Sequence, residues 1–170
     1  MAEELDDLRQ LERGSIHQFL VESEAYIRGF TLDYGCGRQP YRQIIEQAGA
    51  TYHGYDRGFH PGAIRGVGDV GDDDPLLKFW DTIICTQVLN VIPDYRHLLR
   101  QFHASLRLNG YLILTAATCW PDGDPVELWR WTLNGIRLEL EAAGFRIEHL
   151  RYRGEWLGFQ IGFGCVAGRA

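Results

Sequence analysis

The chain has 170 residues, 45% of them hydrophobic, which is enough for one domain with a real core. Its formal net charge of −6 argues against a general nucleic-acid or membrane-surface binder, both of which need positive surface. Cys36, Cys85, Cys119 and Cys165 show no CxxC spacing, so neither a zinc site nor a disulfide framework is expected, and free thiols in a reducing cytoplasm are the default.

The acidic N-terminus MAEELDDLRQ reads as helix and not as a signal peptide, and no apolar run approaches the roughly 20 residues of a membrane span. The expectation is a cytoplasmic single domain over 1–170, with N-terminal helices in 1–29, no metal and no membrane contact. Residues 2–13 predict a short helix that Gly14 interrupts. Ser15, with Gln18 three residues on, predicts the capping box of a second helix that ends at Gly29. Ile16, Phe19, Leu20, Tyr26 and Ile27 lie at helical spacing and form its core-facing stripe.

Thr31 to Tyr34 predicts a buried strand, Gly35 to Gln39 a tight turn, and Pro40–Tyr41 a helix start that runs to Ala48 and stops at Gly49. Thr51 to Tyr55 is the second predicted strand and Ile64 to Val70 the third. Asp72 to Trp80 reads as a brief helix, and Thr82 to Cys85 as the fourth strand. Asp94 caps a helix to about Leu106, with Leu98, Leu99, Phe102 and Leu106 inward. Asn109-Gly110 turns into a fifth strand, Tyr111 to Thr115, followed by an irregular stretch to Arg130. Thr132 caps a helix that Gly144 stops, and Arg146–Tyr152 and Phe159–Ala167 are the last two strands. Alternating strands and helices give an α/β, doubly wound, mostly parallel seven-stranded sheet.

A glycine turn between strand and helix is the usual ligand crevice of such a sheet. Asp56, at the end of the second strand and 19 residues past Gly37, stands where a carboxylate takes ribose hydroxyls. A dinucleotide fingerprint would place a third glycine where Pro40 stands, which disfavours a pyrophosphate on the helix. S-adenosylmethionine carries no phosphate, and Asp33, Asp56 and Asp69 supply negative potential for its sulfonium.

With these residues in view, the chain resembles the class I S-adenosylmethionine-dependent methyltransferases of the small type-11 group. The segments that carry the resemblance are LDYGCGRQPYR, YHGYD, GDV (Gly68–Val70), DTIICTQVLNVIPD and LRLNGYLILT. LWRWTLNGIRLELEAAGF resembles a segment of members that sit beside sugar-transferring enzymes. The resemblance implies that Asp33, Gly35 and Gly37 line the methionine part and that Asp56 holds the ribose. It also implies that Arg57, Asp69 and Val70 border the adenine, with Thr86 and Gln87 near the sulfonium and the substrate. The family's last strand is antiparallel and inserted beside the sixth.

Three positions depart from the family pattern. Gln39 replaces a glycine, Leu89-Asn90-Val91 replaces a Leu-Glu-His, and WPDGDPVE replaces a stretch that often holds a histidine. Methyl transfer to an activated carbon needs alignment and exclusion of water, and a hydroxyl acceptor also needs a base. The acids left for that role are Asp122, Asp124 and Glu127, with Trp120 on the substrate side. The arginines after Arg130 are expected on solvated faces, with a site for an acidic substrate as the alternative, and His53, His60, His97 and His103 are expected to be structural or solvent-facing. The expected activity is methylation of a small molecule, a sugar or secondary metabolite; the alternative is a non-catalytic cofactor-binding subunit. A homodimer and a partner subunit are both left open.

Overall fold

The computed structural model describes residues 2–56, 76, 79–120 and 127–169. Helix α1 (Ala2–Glu22) and a 3-10 turn (Glu24–Tyr26) lead into β1 (Phe30–Tyr34), α2 (Arg42–Gln47) and β2 (Thr51–Tyr55). Then come β3 (Trp80–Thr86), a 3-10 turn (Leu89–Val91), α3 (Tyr95–Ser105), β4 (Leu106–Ala117), α4 (Leu133–Ala142), β5 (Arg146–Trp156) and β6 (Phe159–Gly168).

The strands form one six-stranded sheet in the order β2-β1-β3-β4-β6-β5. The β1–β2, β1–β3 and β3–β4 pairs are parallel, while β6 is antiparallel to both β4 and β5. This is the doubly wound α/β sheet expected, with the last strand inserted beside the one before it. The predicted strand Ile64–Val70 lies outside the described residues, so the sheet has six strands there and not seven.

Strand alternation sends side chains to two faces. Leu32, Tyr34, Ile83, Cys85, Leu112, Leu114 and Phe163 pack with α3 and α4. Ile84, Ile113 and Val166 pack with α1 and α2 through Ile16, Phe19, Leu20, Ile44 and Ile45.

The helix ends follow their local chemistry. Asp94 accepts from the His97 amide at 3.0 Å, and Thr132 Oγ1 accepts from the Gly135 amide at 3.0 Å. At the end of α4, the Phe145 amide donates to Leu140 O and the Gly144 amide to Glu141 O, each at 3.0 Å, with Gly144 at φ +97°. That double closure, with Phe145 buried, is the left-handed stop predicted.

Several predicted boundaries are corrected. Gly14 does not break the first helix, and α1 runs through it. A glycine costs a helix only about 1 kcal/mol, and burial of Ile16, Phe19 and Leu20 against the sheet outweighs that. Ser15 therefore caps nothing; its hydroxyl donates to Glu12 O within the helix at 2.8 Å. Gly29, at φ +58°, turns the chain into β1 after α1 has already ended. Trp80 opens β3 and ends no helix, because its ring is buried against His53. The rest of Asp72–Trp80 lies largely outside the described residues. Strand β4 starts at Leu106, before Asn109-Gly110, and the β3–β4 register shifts there to absorb the extra residues.

Candidate active site

The site is built where β1 ends. Gly35 has φ +78° and Gly37 has φ +51°, conformations that favour glycine. The amides of Gly35 and Cys36 both donate to Tyr55 O, at 2.7 and 3.1 Å, which ties the turn to the end of β2. Asp56 Oδ2 then accepts from the Gly37 amide at 2.8 Å. The two motifs that the sequence spaces 19 residues apart are thus one hydrogen-bonded unit. A Cβ on Gly35 would come within 2.1 Å of Val88 Cγ2, so the turn packs directly on the segment after β3. Among the described residues, a Cβ on Gly37 would meet nothing within 4 Å. Gln39, at φ +59°, adopts the left-handed turn that the family's glycine would take.

Asp33 is fully buried on the α1 and α2 face of β1. Its Oδ2 accepts from the Tyr52 hydroxyl at 3.0 Å, and its Oδ1 has no partner. Burial pushes its carboxyl up to about 7, against the Tyr52 hydrogen bond, which lowers it. Burial likewise pushes the Cys36 thiol up to about 12, so no thiolate nucleophile stands beside the turn.

Thr86 ends β3, and Gln87 follows at φ +57° with its amide donating to Thr115 O at 2.9 Å. Gln87 Nε2 and Thr115 Oγ1 are buried without partners. Arg57, His60, Asp69, Val70, Asp122 and Asp124 lie outside the described residues.

Residues 127–130 pack back on the 3-10 turn that follows β3. The amides of Leu128 and Trp129 both donate to Asn90 O, at 2.8 and 3.1 Å, and Asn90 Nδ2 donates to Glu127 Oε1 at 3.3 Å. Glu127 Oε2 accepts from Arg130 at 2.8 and 3.1 Å. Both of its carboxylate oxygens are therefore engaged. Trp129 and Trp131 meet Tyr95 edge-on, and Trp131 is buried, so the WRWT segment packs α4 onto α3. Trp120 is partly buried at the other end of the loop. Asn90, noted in the sequence only as a departure, is the residue that orders this segment.

The structure overturns one expectation about charge. Arg153 is buried on β5, with Nε donating to Phe163 O at 3.1 Å and Nη1 to Ser15 Oγ at 2.7 Å. Its stem lies over Gly162 and its head reaches α1, so it is not on a solvated face.

One comparison decides the family. A family model described as a methyltransferase domain matches residues 15–150.

The chain belongs to that methyltransferase-domain family.

No curated protein matches the sequence significantly. Among solved structures, this methyltransferase domain is similar to a SAM-dependent methyltransferase from Archaeoglobus fulgidus at 15% identity and TM-score 0.71, covering 92% of this chain and 94% of that one. It is similar to magnesium protoporphyrin IX methyltransferase from Synechocystis with bound SAM, at 19% identity and TM-score 0.69, covering 97% and 83%. It is also similar to 1,6-didemethyltoxoflavin-N1-methyltransferase from Burkholderia thailandensis with bound S-adenosylhomocysteine, at 18% identity and TM-score 0.68, covering 99% and 85%. These likenesses establish the Rossmann-like methyltransferase fold. Among the described residues no helix is long and apolar enough to cross a membrane, and no cluster of His, Cys, Asp or Glu could hold a metal ion.

Proposed function

We propose that the chain is an S-adenosylmethionine-dependent methyltransferase acting on a small molecule, with residues 1–170 as a single methyltransferase domain. The observation that carries the reading is the Gly35–Gly37 turn braced by Asp56, with no described residue within 4 Å of where a Gly37 Cβ would stand. The residues present fit the cofactor. The turn is a backbone cradle, Asp33 Oδ1 and Gln87 Nε2 are buried polar atoms without partners, and Asp56 stands at the strand end. Asp33, Gly35, Gly37, Asp56, Thr86 and Gln87 would hold it, and we extend the same role to Arg57, Asp69 and Val70. When bound, the cofactor supplies a methyl group on a positively charged sulfur.

The chain's own residues align the acceptor and keep water out, which is most of what such a transfer requires. The main-chain bonds from Leu128 and Trp129 to Asn90 O fix the end of the 116–130 loop that we place on the acceptor side. Asp122, Asp124 and Glu127 are the carboxylates we assign to that side, with Trp120 against the substrate. Similar proteins in this fold that act on small molecules, a porphyrin and a toxoflavin precursor, support a small acceptor here. A sugar acceptor rests on the resemblance of the WRWT segment alone. A second reading, a cofactor-binding subunit without chemistry, is favoured by one observation: Glu127 is already taken up by Asn90 and Arg130.

Calorimetry with S-adenosylmethionine, S-adenosylhomocysteine and NAD tests the cofactor. Binding of NAD alone refutes the proposal. Methyl-labelled cofactor incubated with an extract of the source then separates the enzyme, which labels a product, from the subunit, which does not.

A further inference from the structure

Polar side chains cross the sheet under α1, at the carboxyl ends of the parallel strands. Asp33 stands on β1, Thr86 on β3, Thr115 on β4 and Arg153 on β5, all buried. The register pairs Thr86 with Thr115, Thr115 with Gly164, and Arg153 with Gly162. Glycines form the floor between β4 and β5: Phe19 lies over Gly164, and the Arg153 guanidinium lies over Gly162, where a Cβ would come within 2.6 Å of Nη2.

Arg153 is the cation of this row, with its side chain only 3% exposed. Phe163 O accepts from Nε, and Ser15 Oγ and Glu12 O accept from Nη1 at 2.7 and 3.5 Å, so the head is fixed from both β6 and α1. Nη2 has no hydrogen-bond partner. The ion-pair partner, Glu12 Oε1, stands 3.8 Å from Nη2, beyond hydrogen-bond reach. By comparison, the exposed pair Arg96–Glu139 between α3 and α4 closes at 2.7 and 2.8 Å. A buried guanidinium with an unused donor is costly unless a ligand completes it. Burial holds Arg153 down to about 10 and pushes the Glu12 carboxyl up, in each case against the attraction of the other.

The orphaned donor lies at the acceptor end of the sheet. Gly162 adjoins Ala116 O at the end of β4, and the chain leaves the sheet there through Thr118, whose amide donates to Ile161 O. Glu127 of the 116–130 loop acts electrostatically on Glu12. Glu12 on α1 and Arg153 on β5 come together because α1 lies across that strand.

We propose that Arg153 is a specificity residue of the acceptor site, offering Nη2 to a carboxylate on the methyl acceptor while Glu12 stands back as the internal carboxylate that the ligand replaces. A planar carboxylate suits the guanidinium fork, and the bond is charge-assisted. The inference rests on the methyltransferase reading.

The test uses the full chain saturated with S-adenosylhomocysteine, after calorimetry has shown that it binds. Sodium benzoate and its neutral counterpart benzamide are titrated in parallel, followed by the amide resonances of Ser15, Gly162 and Phe163. Benzoate should shift these resonances to saturation, and benzamide should not. Glu12→Gln should tighten benzoate binding at least about tenfold by removing the competing carboxylate. Arg153→Gln should abolish it. Glu12→Gln leaves Ile16, Phe19 and Leu20 in place, so this arm stays readable even if Arg153→Gln fails to fold. Equal or absent responses to benzoate and benzamide, or a Glu12→Gln variant with unchanged benzoate affinity, overturn the proposal. Loss of S-adenosylhomocysteine binding in the wild type removes the methyltransferase reading and this inference with it; binding without a preference for benzoate removes this inference alone.

Discussion

Replacing Asp56 tests the cofactor half of the site, because its carboxylate has two separable tasks. One is on view: Oδ2 accepts from the Gly37 amide at 2.8 Å and braces the turn. The other, holding the ribose, is inferred. The Gly37 amide is near solvent, and water can replace Asp56 as its acceptor, so losing the brace should cost at most about 1 kcal/mol of stability. Losing charge-assisted bonds to ribose hydroxyls should cost about 1.5–3 kcal/mol of binding, or roughly 10- to 150-fold in Kd. Asp56→Ala should therefore leave the urea midpoint nearly unchanged while S-adenosylhomocysteine affinity falls by that factor. Asp56→Asn keeps an oxygen for Gly37 but loses the charge, so its affinity should fall less, by several-fold. The measurements are calorimetric titration and urea unfolding of the same preparations. An unchanged Kd in folded Asp56→Ala would refute the ribose role. Parallel losses of stability and affinity would show that the carboxylate acts only as the brace of the turn.

The remaining predictions concern Asp33, the turn and the acceptor loop. Asp33 titrates at about 7 in the fold against 3.8 for the free group, so its proton stabilises the native state. That contribution is full below about pH 4, and it is lost as pH rises through about 7, a change of roughly 4 kcal/mol. Relative to Asp33→Asn, the wild type should lose about that much stability between pH 4 and 8 in urea unfolding, and parallel curves would refute the assignment. Gly35→Ala places a methyl group 2.1 Å from Val88 Cγ2 at a positive φ, so it should destabilise the fold by at least about 1–3 kcal/mol in the same assay. Asp122→Asn, Asp124→Asn and Glu127→Gln should lower turnover of the identified acceptor while cofactor affinity stays within about twofold; full turnover in all three would remove the loop carboxylates from the mechanism.

The parts of this molecule that were legible in the sequence are those whose cause is local. Gly35, Gly37 and Gly144 stand where the backbone needs φ above zero, and Asp94 and Thr132 cap the helices that follow them. The strand runs were legible because β-branched and aromatic residues bounded by turn formers leave few alternatives. The errors came where packing overrode a local signal. Gly14 reads as a break, yet α1 passes through it because the next turn of the helix buries Ile16, Phe19 and Leu20. Arg153 reads as solvent-facing because Arg146 and Arg151 precede it on the same edge strand and are exposed. The clue lay in the facing strand. Gly162 and Gly164 alternate with Phe163 in GFGC, and glycines at every second strand position mark a surface that something approaches closely. Asn90 gave no signal, because its main-chain oxygen, which any residue could supply, receives the amides of Leu128 and Trp129.

The two faces of the sheet divide the work. The face under α3 and α4 is packed with Leu, Ile, Phe and Cys side chains and holds the scaffold rigid. The face under α1 and α2 carries Asp33, Thr86, Thr115 and Arg153 among its apolar residues, close to the strand ends. Buried polar atoms without partners destabilise a fold, so their concentration at one end of one face needs a return elsewhere, and a bound ligand is the return that this architecture offers. The family match sorts the row further. Asp33, Gly35, Gly37, Asp56, Thr86 and Gln87, the residues proposed to hold the cofactor, all fall inside residues 15–150. Glu12 and Arg153 fall outside those bounds on either side, and meet only because α1 lies across β5. The proposed acceptor contact therefore depends on how α1 packs across β5, and the proposed cofactor contacts depend on the turn after β1.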